Sequence, residues 1–489
     1  METRRIDPKR VRRVNEAPVR DDGRFVLYWM IAARRLEWNL ALERAVEWAR
    51  HLNQPLLILE ALRLDYPWAS RRLHRFCVQG MAEHARRLEG SRVGYYPYLE
   101  RAAGEGKGLL AHLSSDAAVV VTDDFPSFFL PRMVAAAGRQ LPVRLEAVED
   151  NGLLPLGEPD RDFKTAYSFR RYLQKTLPEF LGDGPDPYPL TGDPLPEFSG
   201  VSREVSRRWP AVEVTELADP DRLLEGLDLD STVPGVSLEG GRSAARNELE
   251  RFLGKGLEGY AEDRNHPDRG RTSRLSPYLH WGHVSSREVV QEVLDREGWS
   301  PSALAEKVDG RREGWWGLSS DAEAFLDQIV TWREMGYVTA WRDPDHEEWD
   351  SLPEWARTTL EAHAHDPRPH LYDLEEFQEA RTHDPLWNAA QRELRQEGVI
   401  HNYLRMLWGK KILEWSPTPR EALGVMWELN NRWALDGRNP NSTSGIFWVL
   451  GRYDRGWPER PVFGTVRSMT SKSTRRKVEL DGYLERFGP

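Results

Sequence analysis

The chain has 489 residues, 39% of them hydrophobic and 30% charged, with a formal net charge of −10. That length exceeds one ordinary core and predicts two or three domains, while the negative balance excludes a surface that is basic all over and leaves room for a local basic groove. No apolar run approaches the roughly 20 residues that span a bilayer, so no membrane segment is expected, and the single cysteine, Cys77, excludes an internal disulfide or a cysteine metal cluster and points to a reducing, cytoplasmic setting.

The chain opens on METRRIDPKRVRRV, which is basic and has no apolar stretch. Residues 1–20 therefore read as a mobile basic tail rather than a secretory signal. From residue 24 strands and helices alternate. Apolar runs of strand length occur at 25–31 (FVLYWMI), 55–62 (PLLILEAL), 117–122 (AAVVVT) and 143–148, and helical spacing fills 36–52. Continuous apolar strands separated by helices predict a parallel sheet buried on both faces, an α/β domain over 21–180 of Rossmann-like type. Asp123–Asp124 and Glu149–Asp150 follow two of these strands, at the carboxyl edge where open α/β sheets bind ligands. No GxGxxG follows the first strand, which excludes a dinucleotide site there.

Residues 181–240 are rich in Pro, Gly, Asp and Glu and read as a long connector. From 241 to 489 the apolar spacing is helical, in 243–260, 285–296, 321–337, 386–396, 400–415 and 420–434, which predicts a large all-α domain.

Several residue groups in this second domain can carry chemistry. RTSRLSPYLHWGHV (271–284) offers Thr272, Ser273 and Ser276 hydroxyls and backbone N–H groups just before a helix, which suits a phosphate and equally suits a simple N-cap. On the helix 325–337, Gln328 and Trp332 are four apart and share a face, an amide and an indole able to read a planar ligand, or a solvated glutamine beside a core tryptophan. Trp408 and Trp415 lie two turns apart, roughly 10 Å along one helix. With Trp387 they form either an electron relay to the surface or ordinary core. Asp436 is placed to pair with Arg405, and Asn430 reads as a helix C-terminal residue. Arg452, Arg455, Arg460, Arg467, Lys472 and others alternate with Tyr453, Trp457 and Phe463, a pattern suited to a phosphate backbone. His363, His365 and His370 have no HExxH or cysteine partner, so no metal is expected.

Together these segments resemble the photolyase/cryptochrome family, most closely the class II cyclobutane pyrimidine dimer DNA photolyases. The similarity runs from about residue 25 to 477. It is strongest at TSRLSPYLHWG (272–282), HDPLWNAAQ (383–391), YLRMLWGKKILEW (403–415) and LDGRNPN (435–441). The resemblance implies an α/β antenna domain, a linker and a helical domain that binds FAD and DNA. It assigns Tyr260, Thr272, Ser273, Leu275 and Ser276 to the FAD phosphate turn. Asn430 falls beside flavin N5, Arg405 and Asp436 at the flavin edge, and Gly437 and Asn441 on the adenine side. Trp387, Trp408 and Trp415 match the electron-transfer triad. Trp332, Met406 and Trp448 match the wall that contacts a flipped dimer in UV-damaged DNA, with Arg452 and Arg455 as phosphate contacts. The implied activity is light-driven dimer splitting by an electron from FADH⁻, in a cytoplasmic monomer with a second chromophore of deazaflavin or folate type. One residue departs from the pattern: class II enzymes have glutamate where this chain has Gln328. An amide donates a neutral hydrogen bond and no proton, which motivates the alternative of a photolyase-like photoreceptor with weak or no repair.

Overall fold

In a computed structural model that describes residues 6–182 and 184–488, the first part of the chain forms a six-stranded sheet. Its strands are β1 (Val11–Arg13), β2 (Phe25–Met30), β3 (Leu56–Leu62), β4 (Gly94–Leu99), β5 (Ala117–Asp123) and β6 (Leu145–Val148). Their order is β1-β6-β5-β2-β3-β4, with β1 antiparallel to β6 and every other pair parallel. The chain builds outward from β2 through β3 to β4, then crosses to β5 and β6 on the other side. The topological switch therefore lies between β2 and β5, where such sheets open a crevice. Leu27, Leu57 and Val120 face one helical layer, and Val26, Ile58 and Val119 face the other. That two-residue alternation inside unbroken apolar runs explains why the strands carry no polar face.

Residues 1–5 of the expected basic tail lie outside the described residues. The rest of that segment is folded, which corrects the expectation of a mobile tail. Pro8–Arg10 makes a helical turn, and Val11, Arg12 and Arg13 pair with Val148, Ala147 and Glu146. Arg10 is 1% exposed, and its guanidinium donates to Glu149 at 2.8 Å and to the Leu153 carbonyl at 2.6 Å. A cation is tolerated at such depth because a carboxylate and a carbonyl both meet it.

The connector is ordered as well. It contains the short helices Arg203–Arg208, Val214–Leu217 and Pro220–Leu223, and its Trp209 is buried against the α/β domain, where Tyr96 donates to the Trp209 carbonyl. Beyond it the chain is helical. One core joins residues 245–338, Leu435 and Tyr453 to residues of the first part of the chain such as Leu73, Phe125 and Phe169, and a second gathers residues from Trp349 to Phe487 with Val233.

Candidate functional site

Four helical segments of the second domain converge: Ser320–Arg342, Asn402–Trp415, Pro419–Trp433 and Pro440–Val449. The first is interrupted by a π-helical turn at Asp327–Trp332, a distortion that favours functional sites. Across residues 325–338 every side chain is buried except Gln328 and Trp332, which are half-buried. The widened turn thus presents an amide and an indole side by side, as their spacing predicts.

Pro440–Val449 repeats this design. It is buried except at Asn441, Gly445 and Trp448, spaced four and three apart, which form one open stripe. At Gly445 a Cβ would meet nothing within 4 Å, so the stripe faces free space. Gly336 lets this helix close on the preceding segment, because a Cβ there would lie 2.5 Å from the Ser444 hydroxyl. On Asn402–Trp415, Tyr403, Arg405 and Met406 are half-buried ahead of the buried Lys410. The Lys410 ammonium lies 5.1 Å from the Trp448 ring and donates to the Val449 carbonyl. Met406 lies one turn before Lys410 on the same face of the helix. Burial pushes Lys410 down to about 7.

The rim of the site is polar. Arg405 donates to both carboxylate oxygens of Asp436, at 2.9 and 3.2 Å. Burial opposes ionisation of Asp436, but Arg405 and the Ser276 hydroxyl outweigh it and hold this carboxyl below its ordinary range. Ser276 opens the helix Ser276–Trp281, so the predicted phosphate turn and the Arg405–Asp436 pair meet at one place. Thr272 and Ser273 precede that helix, half-buried, with the Thr272 carbonyl accepting from Arg251 at 2.9 Å. Leu275 is buried at the helix cap. Tyr260 is buried edge-on to Phe252 and Phe325, with the Arg264 guanidinium over its ring. The Asn430 amide nitrogen donates to Ser442 at 2.7 Å and to Asn431 at 3.1 Å. Gly437 packs tightly, since a Cβ there would lie 2.9 Å from the Asn430 carbonyl oxygen.

These residues fit a long, flat, phosphate-bearing cofactor. Among the described residues no hydrogen bond joins the side chains of Thr272, Gln328, Trp332, Asn441 or Trp448 to the protein, and no acceptor role is taken by the Asn430 side-chain oxygen. Open hydroxyl, amide and indole groups beside a hydroxyl-rich turn are the donor set that FAD requires.

Behind the bowl the three predicted tryptophans are buried at 0–3% exposure. Trp387 bridges the other two: its indole N–H donates to the Trp408 carbonyl at 3.0 Å, and its ring lies 6.0 Å from that of Trp415. Trp408 itself donates to Gln391 at 2.8 Å. The expectation that the relay ends at the surface is not met, because Trp415 is 1% exposed.

The cationic side divides. Arg455 is exposed and lies 5.4 Å from the Trp457 ring. Arg452 is buried, donates to the His346 carbonyl at 2.9 Å and to Ser351, and lies 3.9 Å from the Phe447 ring. It is committed inside the protein, which corrects its assignment as a phosphate contact. Arg467, one of the basic residues of the interleaved run, lies between Trp457 (4.8 Å) and Trp448 (5.8 Å). The interleaving of basic and aromatic residues was the available signal.

The carboxyl edge of the sheet holds a second feature. A cavity of about 450 Å³ lies between the domains, lined by Trp29, Tyr66, Phe128 and Trp281 with Arg34 and Arg438. The carboxylates expected to face a ligand there do not do so. Asp123 accepts from the N–H groups of Ile31, Ala32 and Ala33 and from Tyr28, Asp124 pairs with Arg12, Glu149 with Arg10, and Asp150 with Arg35. The Arg438 guanidinium, by contrast, has a buried Nη2 without a partner.

Comparison with known proteins agrees with this geometry. Residues 325–414 match the family model described as the FAD binding domain of DNA photolyase. The chain is 33% identical over 483 residues to a deoxyribodipyrimidine photo-lyase of Methanothermobacter thermautotrophicus, covering 99% of this chain and 98% of the relative. A deoxyribodipyrimidine photo-lyase of Arabidopsis thaliana is 29% identical, covering 94% and 88%. Among solved structures, the class III photolyase of Agrobacterium tumefaciens superposes with a TM-score of 0.66 at 19% identity, covering 95% and 86%. An archaeal photolyase of Sulfolobus tokodaii with two FAD molecules superposes at 0.60 and 16% identity, covering 92% and 87%. With a third of its residues shared along almost the whole length of a relative, the chain belongs to the DNA photolyase family.

Proposed function

We propose that the protein is a light-dependent DNA repair lyase of class II type that binds FAD in the helical bowl and splits cyclobutane pyrimidine dimers. The observation that carries this reading is the Arg405–Asp436 pair meeting the Ser276 hydroxyl, on helices that leave Gln328, Trp332, Met406 and Trp448 only half-buried. Reduced FAD held there would supply the light-driven electron needed to open the cyclobutane ring.

The protein's own groups do the rest. The Thr272, Ser273 and Ser276 hydroxyls and the Leu275 and Tyr260 surroundings hold the phosphate end. Arg405, anchored by Asp436, and the Asn430 oxygen face the flavin edge, with Gly437 and Asn441 along the adenine side. Trp387, Trp408 and Trp415 act as a relay that restores the reduced state. A dimer reaches this depth only by leaving the duplex stack, at a cost of a few kcal/mol that damage lowers. Trp332 and Trp448 then offer flat apolar faces, and Gln328 offers its amide N–H to a dimer carbonyl. Arg455 and Arg467 flank the opening and suit the phosphates of UV-damaged DNA. The interdomain cavity, aromatic and carrying an unpartnered guanidinium, suits a second flat chromophore of deazaflavin or folate type with an anionic edge. No helix is long and apolar enough to cross a membrane among the described residues, and the protein is proposed to act as a cytoplasmic monomer.

The decisive test incubates reduced protein with an oligonucleotide carrying a thymine dimer under blue light. Restored thymine is the expected result. Failure of both the parent protein and Gln328→Glu to restore thymine overturns the reading, and repair by Gln328→Glu alone assigns the natural protein another role.

A further inference from the structure

The tryptophan chain stops short of solvent, so a positive hole that reaches Trp415 has no exit through that residue. Two other rings meet it. The His383 ring lies 4.9 Å from the Trp415 ring and the Tyr372 ring 5.7 Å from it, both in edge contacts. The Tyr372 backbone N–H also donates to the Trp415 carbonyl at 3.2 Å, which fixes the two residues relative to each other. Tyr372 is half-buried and His383 is exposed. The Tyr372 hydroxyl and His383 Nδ1 are 2.7 Å apart, and the His383 backbone N–H donates to the same hydroxyl oxygen at 3.0 Å. With that oxygen already accepting, its hydrogen is directed to Nδ1 when the imidazole carries its proton on Nε2. The His370 ring stacks on His383 at 3.7 Å.

We propose that Tyr372 and His383 form the terminal, proton-coupled step of the relay: Tyr372 gives one electron to the Trp415 radical cation and its hydroxyl proton to His383 Nδ1. The inference rests on the reading of Trp387, Trp408 and Trp415 as a relay. The step balances. Trp415 is reduced to the neutral indole, Tyr372 is oxidised to a neutral phenoxyl radical, and His383 becomes an imidazolium. The one-electron oxidant is the hole produced when light drives an electron from the relay into bound oxidised flavin. The arrangement makes the step hard to reverse. Once the proton is on an exposed imidazole it exchanges with water, and the hole is no longer on an indole that conducts it back. The His383 N–H remains on the phenoxyl oxygen and holds it in place.

The groups that set the charge of His383 are Tyr372, His370, Asp384, Lys411 and Glu414. Partial burial, and then the adjacent His370, lower the imidazole pKa from its ordinary value. It is therefore a neutral base at neutral pH, ready to receive the proton.

The test is time-resolved absorption and electron paramagnetic resonance on the full chain loaded with oxidised FAD, with flavin content and melting temperature as folding controls. The parent should pass from a tryptophan radical to a neutral tyrosyl radical that narrows with ring-deuterated tyrosine. Tyr372→Phe should lose the tyrosyl signal and return to the starting state from the tryptophan radical. His383→Gln keeps a hydrogen-bond acceptor without a base, and should lose most of the tyrosyl yield and the fall of that yield at acid pH. A tyrosyl signal that survives Tyr372→Phe, or a yield in His383→Gln equal to the parent, overturns the proposal. A parent that forms tryptophan radicals and no tyrosyl radical overturns this step alone. Radical formation that persists unchanged in Trp408→Phe overturns the relay reading on which the step rests.

Discussion

The two domains treat their polar side chains in opposite ways. At the carboxyl edge of the sheet, Asp123, Asp124, Glu149 and Asp150 are all committed to partners inside the protein, and Glu60 in β3 meets Arg34, His84 and Tyr95 at once. In the helical bowl Gln328, Trp332, Asn441 and Trp448 are left half-buried or exposed, and among the described residues their side chains make no hydrogen bond to the protein. A carboxylate that ends a strand is not thereby a ligand group, whereas a polar group left open on an otherwise buried helix is held for something else. The difference separates residues that keep the fold from residues that wait for a ligand, and it can be tested residue by residue.

The largest effect is expected at Glu60. Burial opposes its charge, but His84 and Arg34 outweigh it and bring the carboxyl to about 2. Glu60→Ala leaves the buried Arg34 guanidinium without its carboxylate and the His84 ring nitrogen without its partner. The expected loss is about 3–5 kcal/mol of stability, the usual result of removing one partner of a buried pair. Chemical denaturation measures it, and the folded fraction should still bind FAD. An unchanged stability would remove the structural half of the comparison.

Glu334 is the intermediate case, because it sits on a bowl helix yet is committed to the other domain. Its carboxylate accepts from the Leu153 and Leu154 N–H groups at 2.7 and 3.1 Å, while burial pushes it up to about 7. Between the ordinary glutamate value of about 4.3 and that raised value, the folded state holds a proton that the unfolded state has lost. Stability therefore falls as pH rises through this window, by at most about 1.4 kcal/mol per pH unit. Glu393, also raised to about 7 by burial, contributes with the same sign. Glu334→Gln should remove its own share of the slope, seen in denaturation curves across the window; an unaltered slope would mean the carboxyl does not titrate there.

Gln328 is expected to behave in the contrary manner. Gln328→Ala should change stability by less than about 0.5 kcal/mol. It should slow thymine restoration by up to about tenfold, the loss of one neutral hydrogen bond of roughly 0.5–1.5 kcal/mol. Gln328→Glu should raise the rate, since a glutamic acid that keeps its proton donates an O–H bond and can pass that proton to the dimer carbonyl, which an amide cannot. Initial repair rates of pre-reduced protein decide this, and a rate unmoved by either change places Gln328 away from the dimer.

How far the sequence reveals this division depends on the kind of signal. The strands at 25–30, 56–62 and 117–123 were legible because burial on both faces demands unbroken apolar runs. The strand Gly94–Leu99 was not, since Gly94 and Pro97 read as breakers; it tolerates them at the edge of the sheet, where β4 pairs on one side only. Strand β1 was hidden by its arginines: Arg12 and Arg13 are exposed, and Arg12 is held by Asp124, more than a hundred residues away. In the bowl, Gln328 and Trp332 were legible from their spacing, but the π-helical turn that displays them was not, because apolar composition does not distinguish a wide turn from a regular one. The tryptophan chain needed the family resemblance, as indole spacing alone fits a core equally well. Trp415 shows the limit of such spacing: it gave the order of the rings along the helix and concealed their depth.

The two arginines at 452 and 455 carry the smallest expected effect and the finest version of the comparison. They are three residues apart, identical in charge and both flanked by aromatics, so sequence alone gave them one role. The fold gives them two. Arg455→Ala should weaken DNA binding at every sequence and reduce the slope of log affinity against log salt by about 0.9, one phosphate contact on a duplex. Arg452→Ala should leave that slope unchanged and instead lower stability by roughly 1–3 kcal/mol, because the His346 carbonyl and Ser351 lose their donor. Titrations at several salt concentrations, run beside denaturation of the same two variants, distinguish the cases. If Arg452→Ala flattens the salt slope, its guanidinium turns outward when DNA binds, and burial in the free protein is then no guide to which cations meet the phosphates.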